Sequence, residues 1–223
     1  MTGAPGNGGP VKVLICDDHQ ILAEGLAGLL RGRQDMDVVG IVGTSAAVIE
    51  QAAAKRPDVV LMDYELPDGD GVAATAAVKA AVPDTKVVML TSYSDEAVLV
   101  GAIEAGCSGF LTKHKSAQEV VTAVRLAADG EALISPDMLA RLLPRLRKAS
   151  PADQPGADLT EREREVLSLL ADGLSSEAMG ARLYVSPNTI RNHVQNILVK
   201  LGAHSRLEAV AIAARTGILP TRA

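Results

Sequence analysis

The run Val59-Val60-Leu61-Met62-Asp63-Tyr64-Glu65-Leu66-Pro67-Asp68-Gly69-Asp70-Gly71 constrains this chain more than any other stretch. Four apolar residues end on a carboxylate, and a loop punctuated by Pro67, Gly69 and Gly71 follows, so Asp63 falls at the tip of a buried strand. The same device recurs. Val11 to Cys16 runs into Asp17 and Asp18, Val87 to Leu90 into Thr91, and Phe110 to Thr112 into Lys113. Helix-like stretches alternate with these runs. The pattern predicts strands over 11–16, 38–42, 59–62, 86–90 and 109–112, and helices over 19–30, 45–56, 71–81, 95–104 and 116–128. Five successive βα units call for a doubly wound parallel sheet with right-handed crossovers and helices on both faces. In an open α/β sheet the ligand crevice lies beyond the carboxyl ends of the strands, so Asp17, Asp18, Asp63, Thr91 and Lys113 are expected at one site.

Carboxylates gathered in this way repel one another, and the natural remedy is a divalent cation with hard oxygen ligands. Mg²⁺ fits best, because it favours oxygen donors and is commonly shared with phosphate oxygens. Asp63 then reads as a nucleophile toward phosphorus, with Thr91 and Lys113 as partners for the phosphoryl oxygens. Taken singly, each acid could equally cap a helix or a turn.

The net charge of −5 is unevenly spread. Residues 11–130 carry 10 Lys and Arg against 17 Asp and Glu, whereas residues 158–223 carry 8 against 7. The first part repels nucleic acid at long range; the last can approach it if its positive charges share a face. Residues 1–10 are rich in Gly and Pro and read as a disordered tail. Residues 11–130 form the first domain. Residues 131–157 read as a linker with a short helix that starts at Ser135-Pro136 and is interrupted by Pro144, ending in the poorly packing 149–157 segment. Residues 158–219 read as four helices: Thr160 caps the first with Glu163 three residues on, Ser186 and Pro187 open the third, and Ser205 caps the last.

Within that domain Ser175 to Gly202 has a helix-turn-helix pattern. Ala178, Met179 and Leu183 make one apolar stripe, Tyr184-Val185-Ser186 the turn, and Ile190, Val194, Ile197, Leu198 and Leu201 the next stripe. Its opposite face presents Asn188, Arg191, Asn192, Gln195, Asn196 and Lys200, which suits a major groove, although a solvated amphipathic helix would look similar.

With these motifs in register, residues 11–130 resemble the receiver domain of bacterial two-component response regulators: the acidic pair Asp17 and Asp18, Asp63 with Pro67 and Gly71, Thr91 and Ser92, and Lys113. Residues 159–219, with LTEREREVL at 159–167 and VSPNTIRNHV at 185–194, look like the LuxR-type DNA-binding domain, and the whole resembles the NarL/FixJ class. The resemblance implies a (βα)5 receiver with strand order 2-1-3-4-5. It implies phosphorylation of Asp63 by a sensor histidine kinase, with Mg²⁺ held by Asp18, Asp63 and the Glu65 carbonyl and by Asp17 through water. Phe110 falls at the aromatic switch position, and Tyr93 and Glu65 where phosphoryl lifetime is tuned. Double-stranded DNA would be met by Arg191, Asn192 and Gln195 at bases and by Thr189, Lys200 and Arg206 at the backbone. Leu207, Val210, Ala211 and Ala214 would pair two copies into a homodimer when active, unless they serve ordinary packing within the domain.

A cytoplasmic location is expected, since neither a leader nor an apolar run of about 18 residues is present. Cys16 and Cys107 are expected to be reduced packing residues. His193 reads as a packing residue, and His19, His114 and His204 as forming no ligand set. A Mg²⁺-dependent phosphohydrolase using Asp63 is the alternative, weakened because Glu65 stands where such enzymes commonly want a second Asp. A protein-interaction adaptor that no longer binds DNA is the third reading.

Overall fold

The structure, a computed structural model, describes residues 9–91, 96–113, 116–146, 156 and 158–219. The expected tail up to residue 8, Ser92, Tyr93, His114 and most of the 147–157 segment lie outside the described residues. The chain divides into two compact units, residues 1–133 and 134–223.

In the first unit the strands are β1 (Val11–Cys16), β2 (Met36–Val42), β3 (Val59–Asp63), the short pair β4 (Glu65–Leu66) and β5 (Gly69–Asp70), β6 (Lys86–Thr91) and β7 (Gly109–Thr112). The helices are α1 (Gln20–Arg31), α2 (Ser45–Lys55), α3 (Gly71–Ala81), α4 (Glu96–Glu104) and α5 (Ala117–Ala128). Five strands make one parallel sheet in the order β2-β1-β3-β6-β7. Counting only those five, this is the expected 2-1-3-4-5. Strand periodicity divides the core. Val13, Ile15, Val59, Leu61, Val88 and Leu90 pack with Ala23, Ala27 and Leu30 of α1 and Val121 and Val124 of α5. The alternating Leu14, Cys16, Val60, Met62, Val87 and Met89, equally buried, face the other side of the sheet.

Short polar side chains fix where the helices begin. Thr44 accepts from the Ala47 N–H, Asp70 from the Ala73 N–H, and Ser116 with Glu119 forms a capping box. The sequence reads as plain loop over 64–70. Instead β4 and β5 pair antiparallel as a two-residue hairpin, whose Asp68 carboxylate reaches across to accept the Ser45 N–H at 2.7 Å and the Ala46 N–H at 3.0 Å. Gly71 closes this loop onto the end of β3: its N–H donates to the Tyr64 carbonyl at 2.8 Å, and a Cβ there would lie 2.2 Å from the Asp63 carbonyl oxygen. Only glycine allows so close a pass.

The second unit is helical: α6 (Pro136–Leu146), α7 (Glu161–Ala171), α8 (Ser176–Leu183), α9 (Pro187–Leu201) and α10 (Arg206–Arg215). Thr160 and Glu163 form the expected capping box, Ser186 caps α9 with Pro187 at its first position, and Ser205 caps α10. Gly202, at φ +64°, ends α9. Pro144 does not interrupt α6. It lies two residues from the helix end, so its missing N–H removes a single bond and the turn continues to Leu146. The α6 stripe Leu139, Leu142 and Leu146 is buried, and the helix packs on α10. Gly173 lets α6 begin against the α7–α8 turn, where a Cβ would come within 3.0 Å of Pro136 Cα.

Candidate functional site

At the carboxyl ends of β1, β3, β6 and β7 the expected side chains meet. Asp63, 2% exposed, ends β3, and its Oδ2 accepts a hydrogen bond from Lys113 Nζ at 2.6 Å. The same ammonium forms an ion pair with Asp17 Oδ2 at 3.0 Å. Asp17 is buried and its Oδ1 accepts the His19 N–H at 2.9 Å, whereas Asp18 is exposed. Thr91 is buried beside them, and its carbonyl accepts the Lys113 N–H at 3.1 Å, tying the β6 and β7 ends together. Glu65 is exposed; its N–H approaches Asp63 Oδ1 at 3.4 Å. Phe110 is half-buried in β7.

Burial pushes the Asp63 carboxyl pKa up, and the Asp17 charge adds to this; the hydrogen bond and charge of Lys113 act the other way without cancelling it. Burial alone would lower the Lys113 pKa, but its bonds to Asp63 and Asp17 and their charges outweigh that, so it stands above its ordinary value. Burial, followed by the charge of Asp63, drives the neighbouring Cys16 thiol up to about 12. Three carboxylates face one ammonium, leaving an excess of two negative charges, which one divalent cation would neutralise.

The donor set fits such an ion. Ligand atoms of Asp17, Asp18, His19 and Asp63 all lie within 4.8 Å of one another, and the Lys113 ammonium is the one cation bonded to the buried Asp17 and Asp63 carboxylates among the described residues. His19, which the sequence assigns to no ligand set, stands beside the acidic pair: as the N-cap of α1 it places Nδ1 2.9 Å from Asp18 Oδ1 and 3.3 Å from Asp17 Oδ1. Its position directly after Asp17-Asp18 was the available signal.

In the second unit α9 buries Ile190, Val194, Ile197 and Leu201 and leaves Asn188, Asn192, Gln195 and Asn196 exposed. Thr189 sits in the first turn, its N–H bonded to the capping Ser186 Oγ at 3.1 Å. Arg191 is partly buried, its Nε making no hydrogen bond. Two residues expected on the DNA backbone are engaged inside the unit. Lys200 Nζ donates to Glu163 Oε2 at 2.8 Å and to the Asp158 carbonyl at 3.0 Å; Arg206 is buried, its Nη2 2.8 Å from Ser176 Oγ. Leu207, Val210, Ala211 and Ala214, expected to pair two copies, are 1–4% exposed and face the interior of their own unit, because α6, α7 and α9 all pack on α10.

A parallel sheet with an acidic, lysine-bridged pocket at its strand ends, followed by a helix-turn-helix, defines a receiver joined to a DNA-binding output domain. Residues 13–125 match the response regulator receiver domain, and residues 157–213 match the bacterial regulatory proteins of the luxR family. The transcriptional regulatory protein LnrK of Bacillus subtilis is 36% identical over 216 residues, spanning 93% of this chain and 98% of its own. The DNA-binding transcriptional activator DevR/DosR of Mycobacterium tuberculosis is 35% identical over 203 residues, 91% of this chain and 94% of its own. Among solved structures, the response regulator ChrA of a heme-sensing two-component system is 30% identical with a TM-score of 0.50, covering 95% of this chain and all of that one. The receiver domain of NarL from Mycobacterium tuberculosis is 34% identical with a TM-score of 0.53, covering 55% of this chain and 99% of that one. The chain belongs to the two-component response regulators with a LuxR-type DNA-binding domain.

Proposed function

We infer that this regulator is switched by phosphorylation of Asp63 and acts by binding duplex DNA through α9. The observation that carries the reading is the Lys113–Asp63 contact at 2.6 Å inside an acidic cluster on the same chain as a helix-turn-helix. The phosphoryl donor is a phosphohistidine of a sensor kinase. A carboxylate oxygen of Asp63 attacks phosphorus, the bond to the donor nitrogen breaks, and the imidazole leaves with a proton from solvent. Asp18, Asp63 and the Glu65 carbonyl, with Asp17 through water, would hold Mg²⁺, which supplies charge neutralisation to the phosphoryl oxygens. Lys113 releases Asp63 and pairs with a phosphoryl oxygen, and the Thr91 hydroxyl donates to another.

Movement of Thr91 and Phe110 has a route out of the site. The Phe110 N–H donates to the Leu133 carbonyl at 2.9 Å, and the Leu133 N–H to the Ser108 carbonyl at 3.0 Å, so β7 is stitched to the residues that lead into α6. Phosphorylation thus shifts a population between receiver states, and two recognition helices of a homodimer then engage half-sites about one DNA turn apart. Arg191, Asn192 and Gln195 read bases, with Thr189 on the backbone; Lys200 and Arg206 join them only by giving up their partners inside the unit. A dimer contact through Leu207, Val210, Ala211 and Ala214 likewise requires repacking around α10. The chain works in the cytoplasm; no helix among the described residues is long and apolar enough to cross a membrane.

The test is duplex selection from a randomised pool with and without a small phosphodonor, on wild type and Asp63→Asn. Selection that strengthens with the donor only in wild type supports the reading. A response that persists in Asp63→Asn removes Asp63 from it. Steady turnover of a phosphomonoester would instead favour the hydrolase.

A further inference from the structure

The chain has only four aromatic residues, three Tyr and one Phe, and Tyr184 stands 95% exposed. A tyrosine kept for packing buries its ring. Tyr184 also adopts a backbone shape rare for an L-residue, φ +57° and ψ +40°, shared among described non-glycine residues only with Arg56. The α8–α9 turn imposes this shape. The Tyr184 and Val185 N–H groups both return to the Gly180 carbonyl, and a Cβ on Gly180 would lie 2.8 Å from the Val185 carbonyl oxygen. Glycine at 184 would meet the demand without strain. Strain held in place by its surroundings concentrates where a binding site needs a side chain at a fixed spot.

That spot is two residues before Ser186, the N-cap of α9. When a helix-turn-helix docks, the recognition helix enters the major groove by its N-terminal end while the preceding helix crosses the backbone, so the turn between them passes beside a phosphate. Resting on the DNA-binding reading above, we propose that Tyr184 is a DNA-backbone residue: its ring lies along the groove wall and its phenolic O–H donates to a phosphate oxygen. A neutral donor fixes register without base readout, and it displaces no condensed counterion. It therefore adds affinity that salt does not remove, unlike a lysine at the same place.

The test uses the full chain activated with beryllofluoride and Mg²⁺, a duplex selected from a randomised pool, a scrambled duplex, and fluorescence anisotropy at several salt concentrations. Tyr184→Phe is expected to weaken binding to both duplexes by a similar factor, about tenfold, with an unchanged slope of log affinity against log salt. Tyr184→Gly is expected to weaken it at least as far while melting at or above the wild-type temperature, a split that a purely structural role does not produce. Wild-type affinity in both variants overturns the proposal, as does a loss confined to the selected duplex, which would mark a base contact, or a reduced salt slope. A lower melting temperature of the glycine variant overturns the strain argument, and the phenylalanine variant then decides the hydroxyl contact alone. Wild-type protein that selects no duplex overturns the DNA-binding reading and this contact with it; normal selection with indifferent variants overturns the contact only.

Discussion

Glu163→Gln tests how the second unit is held together and why Lys200 is not free to meet DNA. The Glu163 carboxylate is 3% exposed and accepts three donors: the Thr160 N–H at 2.8 Å, the Thr160 hydroxyl at 3.0 Å and Lys200 Nζ at 2.8 Å. Burial alone would raise its pKa, but Lys200 and Thr160 outweigh it and hold the carboxyl below its ordinary value of 4.5. Glutamine keeps the capping geometry at the third helical position, so the substitution removes mainly the charge. A charge-assisted bond between a buried carboxylate and a half-buried ammonium lies between an exposed pair and a fully buried one, so the expected loss is about 1.5 kcal/mol at pH 7. For a unit of this size that is a fall of about 8 °C in melting temperature. A depressed folded pKa contributes stability that is fully present above the unfolded value, here near 4.5, and is lost as pH falls through the folded value. Thermal melts of the full chain followed by circular dichroism should therefore show a gap between wild type and variant at pH 7 that narrows as the pH drops below about 4.5. A variant as stable as wild type at pH 7, or a gap that stays constant into acid, would refute the reasoning.

Gly71→Ala puts a Cβ 2.2 Å from the Asp63 carbonyl oxygen, so the loop must shift at a cost of about 2 kcal/mol; labelling by a small phosphodonor should slow, and wild-type stability with wild-type labelling would count against the role of this glycine. Leu142→Ala opens a cavity in the fully buried stripe of α6 and should cost about 3 kcal/mol in denaturant unfolding, whereas a loss under about 1 kcal/mol would mean that α6 is not packed on its unit in solution. Cys16 and Cys107 are both buried and Cys16 has its pKa pushed up to about 12, so a thiol reagent at pH 8 should leave the folded chain unmodified and label both residues after denaturation; rapid labelling of Cys16 in the folded state would contradict its burial.

The parallel sheet and its acidic mouth were legible because strand burial and strand ends are written locally, as apolar runs that stop at Asp17, Asp63, Thr91 and Lys113. Helix starts at Thr160, Ser186 and Ser205 were legible for the same reason: a capping side chain bonds an N–H two or three residues away. What was missed depends on partners distant along the chain. Asp68 reaches an N–H 23 residues away, and Lys200 answers a carboxylate 37 residues away. Periodicity puts Lys200 on the polar face of its helix and the family resemblance puts Arg206 at the DNA backbone, but neither says that Glu163 or Ser176 waits opposite. The apolar stripe of α10 reads alike whether a second copy or α6 covers it. Two-residue strands such as β4 and β5 leave no periodic trace at all.

The central claim is that Asp63 accepts a phosphoryl group in a pocket that needs a divalent cation. It is tested most directly by incubating the full chain with labelled acetyl phosphate with and without Mg²⁺, trapping the acyl phosphate by borohydride reduction and mapping it by mass spectrometry. The account predicts a single modified residue, Asp63, no modification once the metal is chelated, and none in Asp63→Asn. Label on another residue, or label on Asp63 that forms equally well in excess chelator, would contradict it.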